Sequence, residues 1–174
     1  MRLFPADWTQ SLYFQAEMED AATPVREVVI DGLAVLKIVK HCNDNLPTMV
    51  AGSLLGSDVD GALDVTYSYA FPGAKAEGEA AVEGVSELDG GEYQIEMMKM
   101  LRDVNVDNNC VGWYQSMYLG TMCTNDVVNY QYSYQSSEEL SDNSIVIMYD
   151  PIQSRKGSLV IKAFRLTEKF MELK

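Results

Sequence analysis

The stretch that decides the fold is Val111–Asn129, VGWYQSMYLGTMCTNDVVN. Cys110–Tyr114 is a short apolar and aromatic run, the pattern of a buried central strand. Gln115, Ser116, Met117 and Tyr118 then break it into a loop. A helix resumes at Thr124 and runs through Ser133. Thr124 is a good N-cap, and Asp126 falls in the first turn, where the helix dipole favours a carboxylate. A strand ending in polar residues beside a helix N-terminus is where α/β proteins commonly place their chemistry.

Outward from this stretch, the flanking segments alternate strand and helix. Val25–Ile30 (VREVVI) reads as a short strand, with Asp31 placed to cap the next helix. Leu33–Cys42 is that helix: Val35, Leu36, Ile38, Val39 and Cys42 share one broad side, and Lys37, Lys40 and His41 the other. His41, the only histidine, is therefore expected in solvent near a helix C-terminus, where its cation is mildly favoured. Thr48–Leu55 reads as a buried strand, Gly56–Gly61 as a hairpin loop and Ala62–Phe71 as the returning strand. Asp58 and Asp60 in that loop lack the longer ligand run and terminal Glu of a calcium loop. Ser144–Tyr149 (SIVIMY) is continuously apolar, as expected of a strand covered on both faces. Asp150-Pro151 ends it, Gln153–Gly157 turns, Ser158–Leu166 returns as a hairpin partner, and Thr167–Lys174 begins a further element.

Two segments between these elements point outward. Pro72–Gly91 (PGAKAEGEAAVEGVSELDGG) is small, glycine-rich and acidic, with little to bury, and reads as a solvated loop inserted in the domain. Glu92–Val104 (EYQIEMMKMLRDV) is a helix on which Tyr93, Met97, Met100, Leu101 and Val104 cluster and Met98 widens the stripe. The stripe is broader than a helix resting on one sheet needs. Tyr93, Met97, Met98, Met100 and Leu101 are thus candidates for a partner interface, because unbranched thioethers repack readily at such surfaces; internal core is the competing reading.

At 174 residues the chain is long enough for one domain with its own core. Residues 1–24 hold Phe4, Trp8, Leu12, Tyr13 and Phe14, many large apolar groups for an inert tail, and read as an extension that docks on the domain or on a partner. The formal net charge of −13 argues against direct binding of nucleic acid. Cys42, Cys110 and Cys123 are odd in number and lack CxxC spacing, the pattern of reduced cytosolic thiols. No apolar run has membrane-spanning length, and MRLFPADWTQ is unlike a secretory signal.

Taken together, these segments resemble the MPN (JAB1/MPN/Mov34) domain. Catalytic members read His-x-His-Pro, seven residues, then Ser-x-x-Asp, after a Gly-Trp-Tyr-like strand. In that register this chain reads Gln115-x-Met117-Tyr118, Leu119 to Asn125, then Asp126-x-x-Asn129. The family's Glu precedes a Gly-x-Leu-x-Gly-like strand, here Gly52–Gly56, and falls on Met49. The resemblance covers Val25 to about Glu172. It implies a three-layer α/β domain of the cytidine-deaminase-like type, a curved mixed β-sheet flanked by helices. That domain is expected over residues 25–174, with the acidic loop 72–91 inserted and a C-terminal helical region beyond Lys174.

The resemblance also bears on chemistry. A hydrolytic zinc site needs three protein ligands and an open water position, and the metal draws the pKa of that water toward neutrality. Gln115 offers a weak amide oxygen, Met117 a thioether suited to soft ions, Asn129 no anion, and Met49 no general base. Asp126 replaces the family's Ser and reads as structural. The implication is a shell without catalysis, zinc or other cofactor. The blocks Ile30–Leu33, Tyr93–Met98, Ile147–Ile152, Gly157–Leu159 and Lys162–Thr167 are most similar to the non-catalytic MPN members of eukaryotic translation initiation factor 3. This implies a scaffold in a cytoplasmic complex, supporting 43S preinitiation assembly. Its partners would be other initiation factor 3 subunits, subunit f as an MPN heterodimer, and the 40S ribosome through the complex, without membrane or direct nucleic-acid contact. The alternatives are an MPN subunit of the proteasome lid or COP9 signalosome, or a JAMM-type isopeptidase with atypical ligands.

Overall fold

The structure is a computed structural model and describes residues 14–15, 25–59, 61–72, 90–104, 109–117, 124–137, 140 and 143–173. In chain order its elements are β1 (Phe14–Gln15), β2 (Glu27–Ile30), α1 (Gly32–Asp44), β3 (Ala51–Val59), β4 (Ala62–Ala70) and α2 (Gly90–Asp103), then β5 (Cys110–Ser116), α3 (Asn125–Gln135), β6 (Ile145–Tyr149), α4 (Pro151–Ser154), β7 (Ile161–Phe164) and α5 (Glu168–Leu173). The strands pair in the order β1-β2-β4-β3-β5-β6-β7. The sheet is mixed: β2–β4 and β5–β6 are parallel, and the other pairs antiparallel. Parallel neighbours need a crossover, which α3 provides between β5 and β6.

Alternation along the strands divides the core into two faces. Tyr114, Ile145, Ile147 and Tyr149 pack with Ala34, Ile38 and Cys42 of α1. Trp113, Val146 and Met148 point the other way, against Val127 of α3 and Met117. On that second face Leu55, Tyr69, Leu101 and Cys110 form a further cluster that seats α2, and Tyr134 touches both clusters. The layers are thus α1, the sheet, and α2 with α3. Every residue of β6 is buried, as its unbroken apolar run requires.

Several expectations are corrected. On α1 the core stripe is Ala34, Ile38 and Cys42, and Leu36 is 67% exposed. Leu36 lies about 160° around the helix from Ile38, and the small Ala34 holds the place against the sheet. His41 is half-buried rather than solvated, because its Nδ1 lies 2.8 Å from the Tyr114 hydroxyl. Most of the Gly56–Gly61 loop is strand: β3 continues to Val59, which pairs with Ala62 across a tight turn. The register shifts at Leu55/Gly56, and a Cβ on Gly56 would collide with the Asp64 carbonyl. Asp58 accepts a hydrogen bond from Asn143 Nδ2 at 2.6 Å. Of Gln153–Gly157, Gln153 and Ser154 belong to α4 and the chain turns after them as expected; Asp150 caps α4, its Oδ1 accepting from the Ile152 and Gln153 amides at 3.0 and 2.8 Å. α3 runs on to Gln135 and β7 is shorter than Ser158–Leu166. Most of 1–24 and residues 73–89 of the acidic loop lie outside the described residues, while Gly90 and Gly91 join α2.

Candidate functional site

The end of β5 is built by close strand approach. Gly112 has φ 148°, and a Cβ there would collide with the Ile145 carbonyl, so only glycine lets β6 pair in register. Contrary to the expected break after Tyr114, Gln115 and Ser116 remain in the strand. Gln115 pairs with Ala51 and Met148, and Ser116 Oγ accepts from the Val50 amide at 2.9 Å. Backbone pairing on both sides overrides the polar side chains that suggest a loop. Met117 is next, its amide donating to the Tyr149 carbonyl at 2.7 Å.

The candidate residues separate from there. Gln115 is half-buried and lines a cleft of about 350 Å³ with Ala51, Phe71, Gln94, Trp113, Tyr130 and Tyr134. Met117 is 3% exposed and packs among Trp113, Val127, Val146 and Met148. Met49 is exposed, before β3 begins. Thr124 caps α3 as expected, its Oγ1 accepting from the Val127 amide at 3.2 Å. Asp126 is exposed in the first turn, and Asn129, also exposed, accepts at its carbonyl from Ser133 Oγ at 3.1 Å. Among the described residues no group of three His, Cys, Asp or Glu side chains is placed to hold a metal ion.

Beneath this surface runs an amide network that hydropathy does not reveal. Trp113 Nε1 donates to Gln131 Oε1 at 2.9 Å. Gln131 Nε2 donates to the Ser144 carbonyl at 2.7 Å and to Gln135 Oε1 at 2.9 Å. Gln135 clasps the Leu166 backbone, accepting from its amide at 2.7 Å and donating to its carbonyl at 3.2 Å. The network ties β5, α3, β6 and the segment after β7 together. Its signal in the sequence is polar residues at 131 and 135 continuing the buried stripe begun by Val127.

The other face of the sheet carries a second cleft of about 330 Å³, lined by Lys37, Lys40, His41, Asp44 and Tyr114 among others. Burial lowers the His41 pKa from 6.5, and the nearby Asp44 opposes that shift more weakly. Neutral imidazole is therefore favoured, which corrects the expectation of a mildly favoured cation. Lys37 Nζ lies 3.5 Å over the Tyr67 ring, and Lys40 pairs with Asp44 at the exposed surface. Burial pushes the Cys42 thiol up to about 12 and raises Cys110 as well, so neither is a reactive thiolate at neutral pH.

The broad stripe on α2 is divided. Leu101 is buried, and Tyr93, Met97 and Met98 are half-buried against the same cluster. Met100 and Val104 are 54% and 65% exposed. Among the described residues no helix is long and apolar enough to cross a membrane.

Comparison with known proteins gives this geometry its context. Residues 23–139 match the family model described as JAB1/Mov34/MPN/PAD-1 ubiquitin protease. The chain is 46% identical over 155 residues to the H subunit of eukaryotic translation initiation factor 3 from Arabidopsis thaliana, covering 89% of this chain and 43% of that protein. The same subunit from Dictyostelium discoideum is 44% identical over 146 residues, covering 84% and 43%. That from Xenopus laevis is 43% identical over 155 residues, covering 88% and 43%. The chain thus spans under half the length of these curated relatives. With a match over most of its sheet and helices, the chain belongs to the JAB1/Mov34/MPN/PAD-1 family.

Proposed function

We propose that this chain is a non-catalytic MPN scaffold in eukaryotic translation initiation factor 3, acting in the cytoplasm through protein–protein contacts. One observation carries the non-catalytic reading. Where catalytic members hold their metal, this chain places the amide of Gln115 and the thioether of Met117, and the latter is 3% exposed within an apolar cluster. Asn129 adds a second neutral amide, and Met49 supplies no base. These donors do not fit a hydrolytic zinc ion, which needs ligands that point into an open position. The names of the Arabidopsis, Dictyostelium and Xenopus relatives support the assembly.

On this reading the MPN domain spans 25–174 with the acidic loop 72–91 inserted, and it pairs with another MPN subunit, subunit f. Of the five candidates on α2, exposed Met100 carries the proposed contact; Tyr93, Met97 and Met98 are half-buried on the domain's own cluster and Leu101 is buried in it. The 40S ribosome is reached through the complex, since the net charge of −13 disfavours direct contact with RNA. Affinity purification with quantification of the stable neighbours tests the assembly. Initiation factor 3 subunits and 40S proteins are expected, whereas proteasome lid or signalosome subunits refute the assignment. Metal analysis with a fluorogenic ubiquitin substrate tests the chemistry, and stoichiometric zinc with chelator-sensitive turnover refutes it.

A further inference from the structure

The cleft beside Gln115 is left without a role by a purely passive scaffold. We propose that it receives an arginine side chain from a basic segment of a partner protein. The walls suit that group. Tyr134 stacks on Trp113 with ring centroids 6.1 Å apart and planes at 28°, and Tyr130 meets the same indole at 6.0 Å. Tyr130 is 62% exposed, so its ring stands at the open side. Aromatic faces attract cations, and a guanidinium also stacks flat on them while its stem buries apolar surface.

The polar groups in the cleft point to the same ligand. Among the described residues no charged side chain lines it; Gln94 and Gln115 supply its amides. Gln94 turns its nitrogen toward Cys110 Sγ at 3.8 Å, which leaves its oxygen for the cleft. The Gln115 side chain makes no hydrogen bond with any described residue. Two amide acceptors match a guanidinium, which carries only donors. The surrounding charge agrees. The chain has a formal net charge of −13, and the only charge on α3 is the carboxylate of Asp126. Such a field draws a cationic segment in, whereas an anion would meet repulsion and no counter-charge among the described wall residues.

This inference rests on Gln115 holding no metal, and the test separates the two. The 15N-labelled chain is titrated with acetyl-Ala-Arg-Ala-amide and followed at the Trp113 indole N–H by NMR. Two peptides replace the arginine, one with uncharged citrulline and one with apolar norleucine. The arginine peptide is expected to give saturable shifts, and Tyr130→Ala to weaken it by about two- to fivefold, as an exposed cation–π contact allows. Gln115→Leu, which removes one acceptor, is expected to weaken it as well. The proposal is overturned if either neutral peptide binds as tightly, if the arginine peptide gives no saturable shift, or if Tyr130→Ala binds unchanged. Zinc is measured in the same samples. A zinc-loaded chain overturns the metal-free reading, and a zinc-free chain whose Trp113 signal stays still overturns only the arginine site.

Discussion

Replacing Gln131 by leucine isolates the amide network that holds the second face of the sheet together. Gln131 is 2% exposed and makes three hydrogen bonds, to Trp113, Ser144 and Gln135. Leucine has similar bulk and needs little repacking. Its main effect is to strand the Trp113 indole N–H, on a residue 4% exposed, without an acceptor. A buried donor left unpaired costs about 1–3 kcal/mol. Weakening the Ser144 and Gln135 contacts adds about 1 kcal/mol, because Gln135 keeps its bonds to the Leu166 backbone. The expected loss is therefore about 2–4 kcal/mol. Urea denaturation followed by circular dichroism should show it as a lower midpoint with an unchanged slope. Trp113→Phe removes the stranded donor, so the double variant should recover part of the loss, with a coupling of about 1–2 kcal/mol. A cost under about 0.5 kcal/mol for Gln131→Leu, or a double variant that merely adds the two single losses, would refute the network as a stabilising unit.

Three further outcomes come from the same geometry. Gly112→Ala should cost more than about 2 kcal/mol in thermal or chemical unfolding, because it combines φ 148° with a clash at the Ile145 carbonyl; Gly32→Ala, whose Cβ meets nothing within 4 Å, should be neutral or slightly stabilising. His41 should titrate below 6.5 by NMR, since burial disfavours its cation. Between the folded and unfolded values the unfolded chain binds more protons, so this contribution to stability is whole above 6.5 and is lost as pH falls; His41→Gln should flatten that part of the midpoint-versus-pH curve. Met100→Asp should weaken capture of partner subunits while leaving the thermal transition in place, whereas Met97→Asp, half-buried on the Leu101 cluster, should lower the transition itself; equal effects of both would count against the exposed edge of α2 as the contact.

What was legible in the sequence divides along physical lines. Local periodicity is visible in composition, so the alternation of strands and helices and the doubly covered β6 could be read directly. Non-local contact is not. His41 is drawn out of solvent by Tyr114, 73 residues away, and nothing on its own helix announces this. Ala34 outranks Leu36 at the sheet because close packing there depends on the shape of the gap rather than on hydropathy. The strand end looked like a loop because Gln115 and Ser116 are polar, yet ladder pairing and the bond from the Val50 amide to Ser116 Oγ hold them in line. Register lines up Met49, Gln115, Met117 and Asn129 along the chain, but it does not show that they stand apart in space, with Met117 buried and Met49 and Asn129 exposed. The cleft beside Gln115 was not legible either, since its walls come from β3, the end of β4, α2, β5 and α3.

On the proposed non-catalytic reading, the same packing makes the residues at the metal-ligand positions part of the fold. Met117 lies at 3% exposure among four apolar neighbours, so its side chain contributes to the core instead of facing solvent. Placing histidine at position 117 would set an imidazole against Trp113, Val127, Val146 and Met148, with its ring nitrogens short of partners. A metal could repay that burial only if Gln115, Met49 and Asn129 changed with it and their side chains converged. Met49 and Asn129 are exposed, while Gln115 opens into the aromatic cleft. Introducing the catalytic residue types one at a time therefore costs stability before any site exists, and on the proposed reading that ordering favours a scaffold over the chemistry.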